Sequence, residues 1–196
     1  MKFSQNNEEI VIHNYFGNKK GTFLDIGAHD GKDLSNTWAL SQSGWGGVCI
    51  EPSPEIFERL EINYQANKDV FCFMAAIGTS NEVVTFYNNP EYYSTTSIAD
   101  RDKWLRAGQK FKEIDVQMLG FNSFLLNCPI QTFDFISLDA EGLDWEILQQ
   151  MDLKALKCQL LCVEHNGIET QKYVAYANNF GLREIHRNNE NIILGR

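Results

Sequence analysis

Phe23-Leu24-Asp25-Ile26-Gly27-Ala28-His29-Asp30-Gly31 decides how the rest of the chain is read. The apolar residues around Asp25 read as the end of a buried strand. Gly27 and Gly31 then permit a tight turn, because glycine reaches positive φ without the steric penalty other residues meet. A helix is expected to follow from about Ser35. Strand, glycine turn and helix start together offer backbone N–H groups and a helix dipole to a nucleotide-like ligand. The spacing is G-x-x-x-G. It departs from the dinucleotide fingerprint, since His29 stands in place of the second glycine, and from a P-loop, since only three residues separate the glycines and Asp33 follows Lys32.

Further along, Val48-Cys49-Ile50-Glu51-Pro52 reads as a second short apolar strand ending in an acid. A carboxylate there can accept both hydroxyls of a ribose. Asp25, the glycine turn and Glu51 thus make a candidate nucleoside site; the plainer alternative is an ordinary βα turn with a charged strand end. At these residues the sequence resembles the class I S-adenosylmethionine-dependent methyltransferases, whose first motif is D-x-G-x-x-x-G with an acid closing the second strand.

A chain of 196 residues suits one domain, with room for an appendage. At 43% hydrophobic and 22% charged its composition is that of a globular protein. The formal net charge of −9 argues against a nucleic-acid partner, which draws a basic face. The first residues carry no apolar signal-peptide core, and no run is long enough to span a bilayer. The five cysteines form no C-x-x-C pair, so metal ligation by cysteine and a disulfide framework are not expected, and a reducing cytoplasm fits.

Taken in order, residues 4–16 read as an amphipathic helix, making 1–17 a helical appendage. A strand is expected over 22–26, a helix over about 34–43, a strand over 47–51 and a helix from Pro54 to about Asn67. Val70–Ile77 is one continuous apolar run, the pattern of a strand covered on both faces. Residues 83–118 are the least regular part. Alternating segments at 83–87 and 113–118 flank a tyrosine- and serine-rich stretch with a short helix near Trp104, and the whole reads as an insertion or lid shaping a substrate pocket, or as a decorated hairpin. Regularity returns at Phe133–Asp139, a buried strand followed by Ala140-Glu141-Gly142 and a helix bearing Trp145, whose helical spacing favours a core position. Leu160–Glu164 is another buried strand, followed by His165-Asn166-Gly167. A helix over 170–179 and strands at 182–186 and 191–194, joined through Asn188-Asn189-Glu190, close the chain.

Alternating strands and helices define an α/β fold with a mainly parallel sheet flanked by helices. Asp25, Glu51, Asp139 and Glu164 all end strands, on the rim where open α/β sheets bind ligands. Four acids on one rim are costly without a compensating ligand, cation or donors.

The resemblance narrows further. Ser4-Gln5 with Glu8-Glu9, Asp25–Gly31, Ser35-Asn36-Thr37, Glu51-Pro52-Ser53-Pro54, Ala76-Ile77-Gly78 and Ser137–Asp144 are similar to the FkbM family of methyltransferases. Ala140 stands where the family usually has valine, and Ala75 where it often has a polar residue near the adenine. The resemblance implies a seven-stranded, Rossmann-like sheet and S-adenosylmethionine as cofactor. It implies donor contacts at Asp25, Gly27, Ala28, His29, Gly31, Glu51, Pro52, Ala76 and Asp139, and O-methylation of a sugar or other small metabolite, with a small-molecule or glycan acceptor as the partner.

A hydroxyl acceptor needs a base or a metal to take or polarise its proton. His165, Asp139, Glu141 and Glu164 are the candidate catalytic residues, with His165 as base oriented by a carboxylate; no metal ligand is assigned. The competing arrangement has Asp139, Glu164 and His165 or Asn166 holding magnesium or calcium. Tyr92, Tyr93, Trp104 and Trp145 are candidates for an aromatic face against the sulfonium. Two other functions are carried as alternatives: a nucleotide-dependent oxidoreductase on a related sheet, and a catalytically silent binding module.

Overall fold

The computed structural model describes residues 3–89, 93–165, 167 and 169–196. Tyr92 and Asn166, both named above, lie outside them. A seven-stranded sheet carries β1 (Thr22–Ile26), β2 (Gly46–Ile50), β3 (Val70–Phe73), β7 (Phe135–Leu138), β8 (Leu160–Glu164), β9 (Arg183–Arg187) and β10 (Asn191–Gly195), in the order β3-β2-β1-β7-β8-β10-β9. β1, β2, β3, β7 and β8 pair in parallel, and β10 runs antiparallel to β8 and β9. The seven-stranded α/β expectation and the terminal hairpin both stand.

The central strands are mostly apolar on both sides because both faces are covered. Leu24, Val48, Ile136 and Leu161 pack into one core with Ile147, Leu148 and Leu182. Their strand neighbours Phe23, Cys49, Phe135 and Cys162 turn to the other face, against Leu60 and Tyr64 of α3 (Pro54–Tyr64) and Ile12 and Phe16 of α1 (Glu8–Phe16). This is the period-two consequence of the pleat.

α1 therefore belongs to the main body rather than hanging from it. It begins at Glu8, not residue 4. Its Phe16 ring meets Trp45 edge-on with centroids 4.8 Å apart, and Tyr15 Oη donates to the Gln159 carbonyl. Glu8, fully buried, accepts hydrogen bonds from the side chains of Asn188 and Asn191 in the terminal hairpin.

The run Val70–Ile77 is two strands, not one. β3 ends at Phe73, and β4 (Ala76–Gly78) leaves the large sheet to pair in parallel with β6 (Lys112–Gly120). β6 pairs antiparallel with β5 (Glu82–Asn88), giving a second sheet in the order β4-β6-β5. The insertion thus starts at about residue 76, not 83. Ala76, Phe86, Val116 and Met118 form its own small core, and α4 (Ile98–Arg106) contributes no buried residue to any core. A helix absent from the sequence reading, α5 (Phe121–Asn127), returns the chain to the main body through Phe121 and Phe124. The expected helix at 34–43 is reduced to α2 (Trp38–Gln42), and the set is completed by α6 (Asp144–Leu148) and α7 (Thr170–Asn178). No helix among the described residues is long and apolar enough to cross a membrane.

Candidate active site

The C-terminal ends of β1, β2, β7 and β8 open onto one cavity of about 750 Å³, roofed by Phe86, Tyr93, Thr95 and Trp104 of the insertion. Asp25, Glu51, Asp139 and Glu164 all line it. The four strand-end acids thus share one space.

Asp25 is 5% exposed, and Thr37 Oγ1 donates to its Oδ2 at 2.5 Å. Burial pushes its carboxyl up to about 7, with Thr37 opposing and Asp139 adding repulsion. Beyond it the chain takes positive φ at Gly27, His29 and Gly31. The turn differs from the expected anion cradle. Gly27 N and Ala28 N both donate to the Ile50 carbonyl, His29 N donates to Glu51, and Gly31 N donates to the Ala28 carbonyl. These amides fasten β1 to β2 and close the turn on itself, and α2 starts only at Trp38. The ligand-facing surface is the wall of Gly27, Ala28 and His29. Gly31 stands apart from the cavity: a Cβ there would strike Leu60 and the Tyr64 ring, so its glycine answers to packing.

Glu51 ends β2 with both carboxylate oxygens held by backbone: Oε2 accepts from His29 N at 3.1 Å, Oε1 from Ser53 N at 2.8 Å. Burial raises this carboxyl to about 7 against those hydrogen bonds. Each oxygen keeps a second lone pair, and the group is fixed at the cavity wall beside Pro52. Ala75, Ala76 and Ile77 continue the wall as an apolar surface.

At the other end Asp139 follows β7. Its Oδ1 is buried with no hydrogen-bond partner. Its carboxyl lies above the usual carboxylate range because of burial, opposed by the Glu141 amide and by a hydrogen bond with the Glu164 carboxyl. Glu141 sits at φ 49 and is pushed up more strongly, by burial and by facing Asp139, Asp144 and Asp100. Asp144, to which the sequence reading gave no role, is 4% exposed and accepts from Ala140 N and Gly142 N, closing the turn that carries Glu141. Asp139, Asp144 and Glu164 each offer an oxygen within 4.8 Å of the others, a set able to hold a cation. In this set Asp144 stands where His165 or Asn166 was expected.

His165 lines the cavity but does not have the free lone pair a base requires. Nδ1 accepts from Gly167 N at 2.7 Å, which leaves the proton on Nε2, donated to the Asn188 carbonyl at 3.1 Å. Its backbone N also donates to the Glu190 carbonyl. The residue ties the loop after β8 to the β9–β10 turn, so its assignment as base is corrected to a structural one. Tyr93 and Trp104 pack on each other with centroids 4.5 Å apart under the roof. Trp145 is half-buried, lines the cavity and carries Lys172 5.1 Å above its ring, so it is only partly a core residue.

Two further cavity residues carried no assigned role. Asn36 donates to Ser137 Oγ at 3.1 Å, while its Oδ1 is buried without a partner. Gln5 reaches the same cavity from the N-terminal segment. Their only signal in the sequence was membership of two family-like blocks.

A strand order of β3-β2-β1-β7-β8-β10-β9 with an acid-rimmed cavity over β1 and β2 is the arrangement of a class I methyltransferase. Among solved structures the chain is similar to precorrin 8W decarboxylase of Methanobacterium thermoautotrophicum, at 14% identity and TM-score 0.55, covering 100% of this chain and 93% of that one. It is similar to precorrin-6y C5,15-methyltransferase of Geobacter metallireducens, at 13% identity and TM-score 0.54, covering 100% and 94%. It also resembles a ribosomal protein L11 methylase of Lactobacillus delbrueckii, at 12% identity and TM-score 0.54, covering 95% and 74%. At these identities the likeness is one of fold. No curated protein is matched by the sequence. The methyltransferase FkbM domain matches residues 25–187, and the chain belongs to that family. Membership sets aside the oxidoreductase alternative.

Proposed function

We propose that the protein transfers a methyl group from S-adenosylmethionine to a hydroxyl of a sugar or other small metabolite. The observation that carries this reading is Glu51, held by two backbone amides at the cavity wall between the glycine turn and an apolar strip. That arrangement fits a nucleoside: ribose hydroxyls on the free lone pairs of Glu51, and a base against Ala75, Ala76 and Ile77. The cavity lies within the size range of small-molecule sites. When bound, the donor supplies a sulfonium methyl for in-line displacement.

The chain's own contribution is alignment and proton removal. Asp139 is the favoured base. It lies on the cavity floor, its Oδ1 is unpartnered, and its raised carboxyl suits proton transfer near neutrality. Glu164 shares a hydrogen bond with it and holds the Asp139 carboxyl in place as it accepts the proton and becomes neutral. Tyr93, Trp104 and Trp145 exclude water and offer flat faces to a glycan or small-molecule acceptor.

A second reading has its own observation: the cluster of Asp139, Asp144 and Glu164 would suit magnesium or calcium, which polarises a hydroxyl without a protein base. The test is labelled-methyl transfer across a panel of hydroxylated acceptors after exhaustive chelation, with magnesium added back. Retained transfer that is lost in Asp139→Asn supports the side-chain base. Activity abolished by chelation and restored by magnesium selects the cation, and a labelled nitrogen or carbon product overturns O-methylation.

A further inference from the structure

We propose that Gln5 and Asn36 form the subsite for the amino-acid end of the methyl donor, so that the segment before the matched domain is part of the active site. The assignment rests on the donor reading above.

Sheet order sets the ligand's direction. With ribose on β2 at Glu51 and the base toward β3 and β4, the other end of the donor must lie over β1 and β7. Asn36 sits at that place, since its Nδ2 donates to Ser137 of β7 and lies 3.7 Å from Cys162 Sγ of β8. Its Oδ1 is buried, unpartnered, and belongs to a residue lining the cavity. An acceptor oxygen in that position suits an ammonium group.

Gln5 arrives from the N-terminal segment, which runs beside the Leu34–Asn36 stretch, and its neighbours are clamped. Ser4 N donates to the Glu9 carboxylate, Ser4 Oγ accepts from Glu9 N, and Ser4 forms a parallel bridge with Leu34. Asn6 N donates to Glu8, and Asn6 Nδ2 donates to Glu190 at 2.6 Å. Between these anchors the Gln5 side chain makes no hydrogen bond among the described residues and lines the cavity mouth. Its amide can donate to a carboxylate. An acceptor oxygen and a donor amide lining one cavity match the two charged groups of an α-amino acid.

Calorimetry with S-adenosylhomocysteine and with 5′-methylthioadenosine, which lacks the amino-acid end, separates this subsite from the nucleoside site. Gln5→Ala, at an exposed position, and Asn36→Ala should each weaken S-adenosylhomocysteine about tenfold or more while leaving 5′-methylthioadenosine unchanged. Unchanged S-adenosylhomocysteine affinity in both variants, or an equal loss for both compounds, overturns the assignment. Native protein that binds neither compound overturns the donor reading itself.

Discussion

Gly27 lies so close beneath Asp139 that a Cβ on the glycine would overlap the Asp139 carbonyl oxygen. The loop after β1 and the loop after β7 are thereby in backbone contact, and the Glu51 side of the cavity is locked to the Asp139 side. Gly27→Ala combines that overlap with φ 79. It should destabilise the fold by roughly 3 kcal/mol or more. Urea unfolding checks this; a midpoint equal to that of the native protein would show that the two loops are not in register as described.

The buried acids predict an unusual pH dependence for the ligand-free protein. Burial holds Asp25 and Glu51 near 7, above their ordinary 3.8 and 4.5. The folded chain therefore binds protons that the unfolded chain has released. Their contribution is full below the unfolded values and is lost as pH rises through about 7. Asp30 acts with the opposite sign. Burial alone would raise it, but the His29 side chain and the Asp33 and Lys32 amides hold it at about 2, so its effect falls below this window. The thermal midpoint should be higher at pH 5.5 than at pH 8, and Asp139→Asn should narrow the gap by removing one repelling charge. A midpoint that rises toward pH 8 contradicts the electrostatics described.

His165 is predicted to matter for folding, not for proton transfer. His165→Ala removes hydrogen bonds to Gly167 N and the Asn188 carbonyl. The cost should be about 1–3 kcal/mol of stability. The pH profile of kcat should keep its shape. A lost acid limb in that profile would restore His165 as the base, since a base is silenced by its own protonation at low pH.

The roof should govern the acceptor alone. Replacing Tyr93 and Trp104 by alanine dismantles a tilted ring pair that contributes no residue to the sheet core. KM for the acceptor should rise about tenfold or more while affinity for the donor stays within twofold, read by steady-state kinetics and calorimetry. Collapse of donor affinity would show that Tyr93 and Trp104 hold the nucleoside instead.

The parts of this account legible in the sequence are those set by local pattern. Apolar runs ending in Asp25, Glu51, Asp139 and Glu164 located the central strands and their functional rim, because double-sided burial leaves an unbroken apolar run. The same rule misled at Val70–Ile77, where periodicity cannot mark the point at which a chain leaves one sheet for another. α5 went unread: Phe121, Phe124 and Leu125 stand at helical spacing, but seven residues are too few for a strong signal. The roles of His165 and Glu8 depend on Asn188 and Asn191, far along the chain, and no local pattern carries such contacts.

The central claim is that Glu51 receives the ribose of an S-adenosylmethionine-type donor. Calorimetric titration of S-adenosylhomocysteine into native protein and Glu51→Gln at pH 8, where the native carboxyl is ionised, tests it most directly. The account predicts measurable binding to the native protein and a loss of about 1.5–3 kcal/mol in the variant, the worth of a hydrogen bond to a charged group. Equal affinity in the two proteins, with both folded, would contradict it.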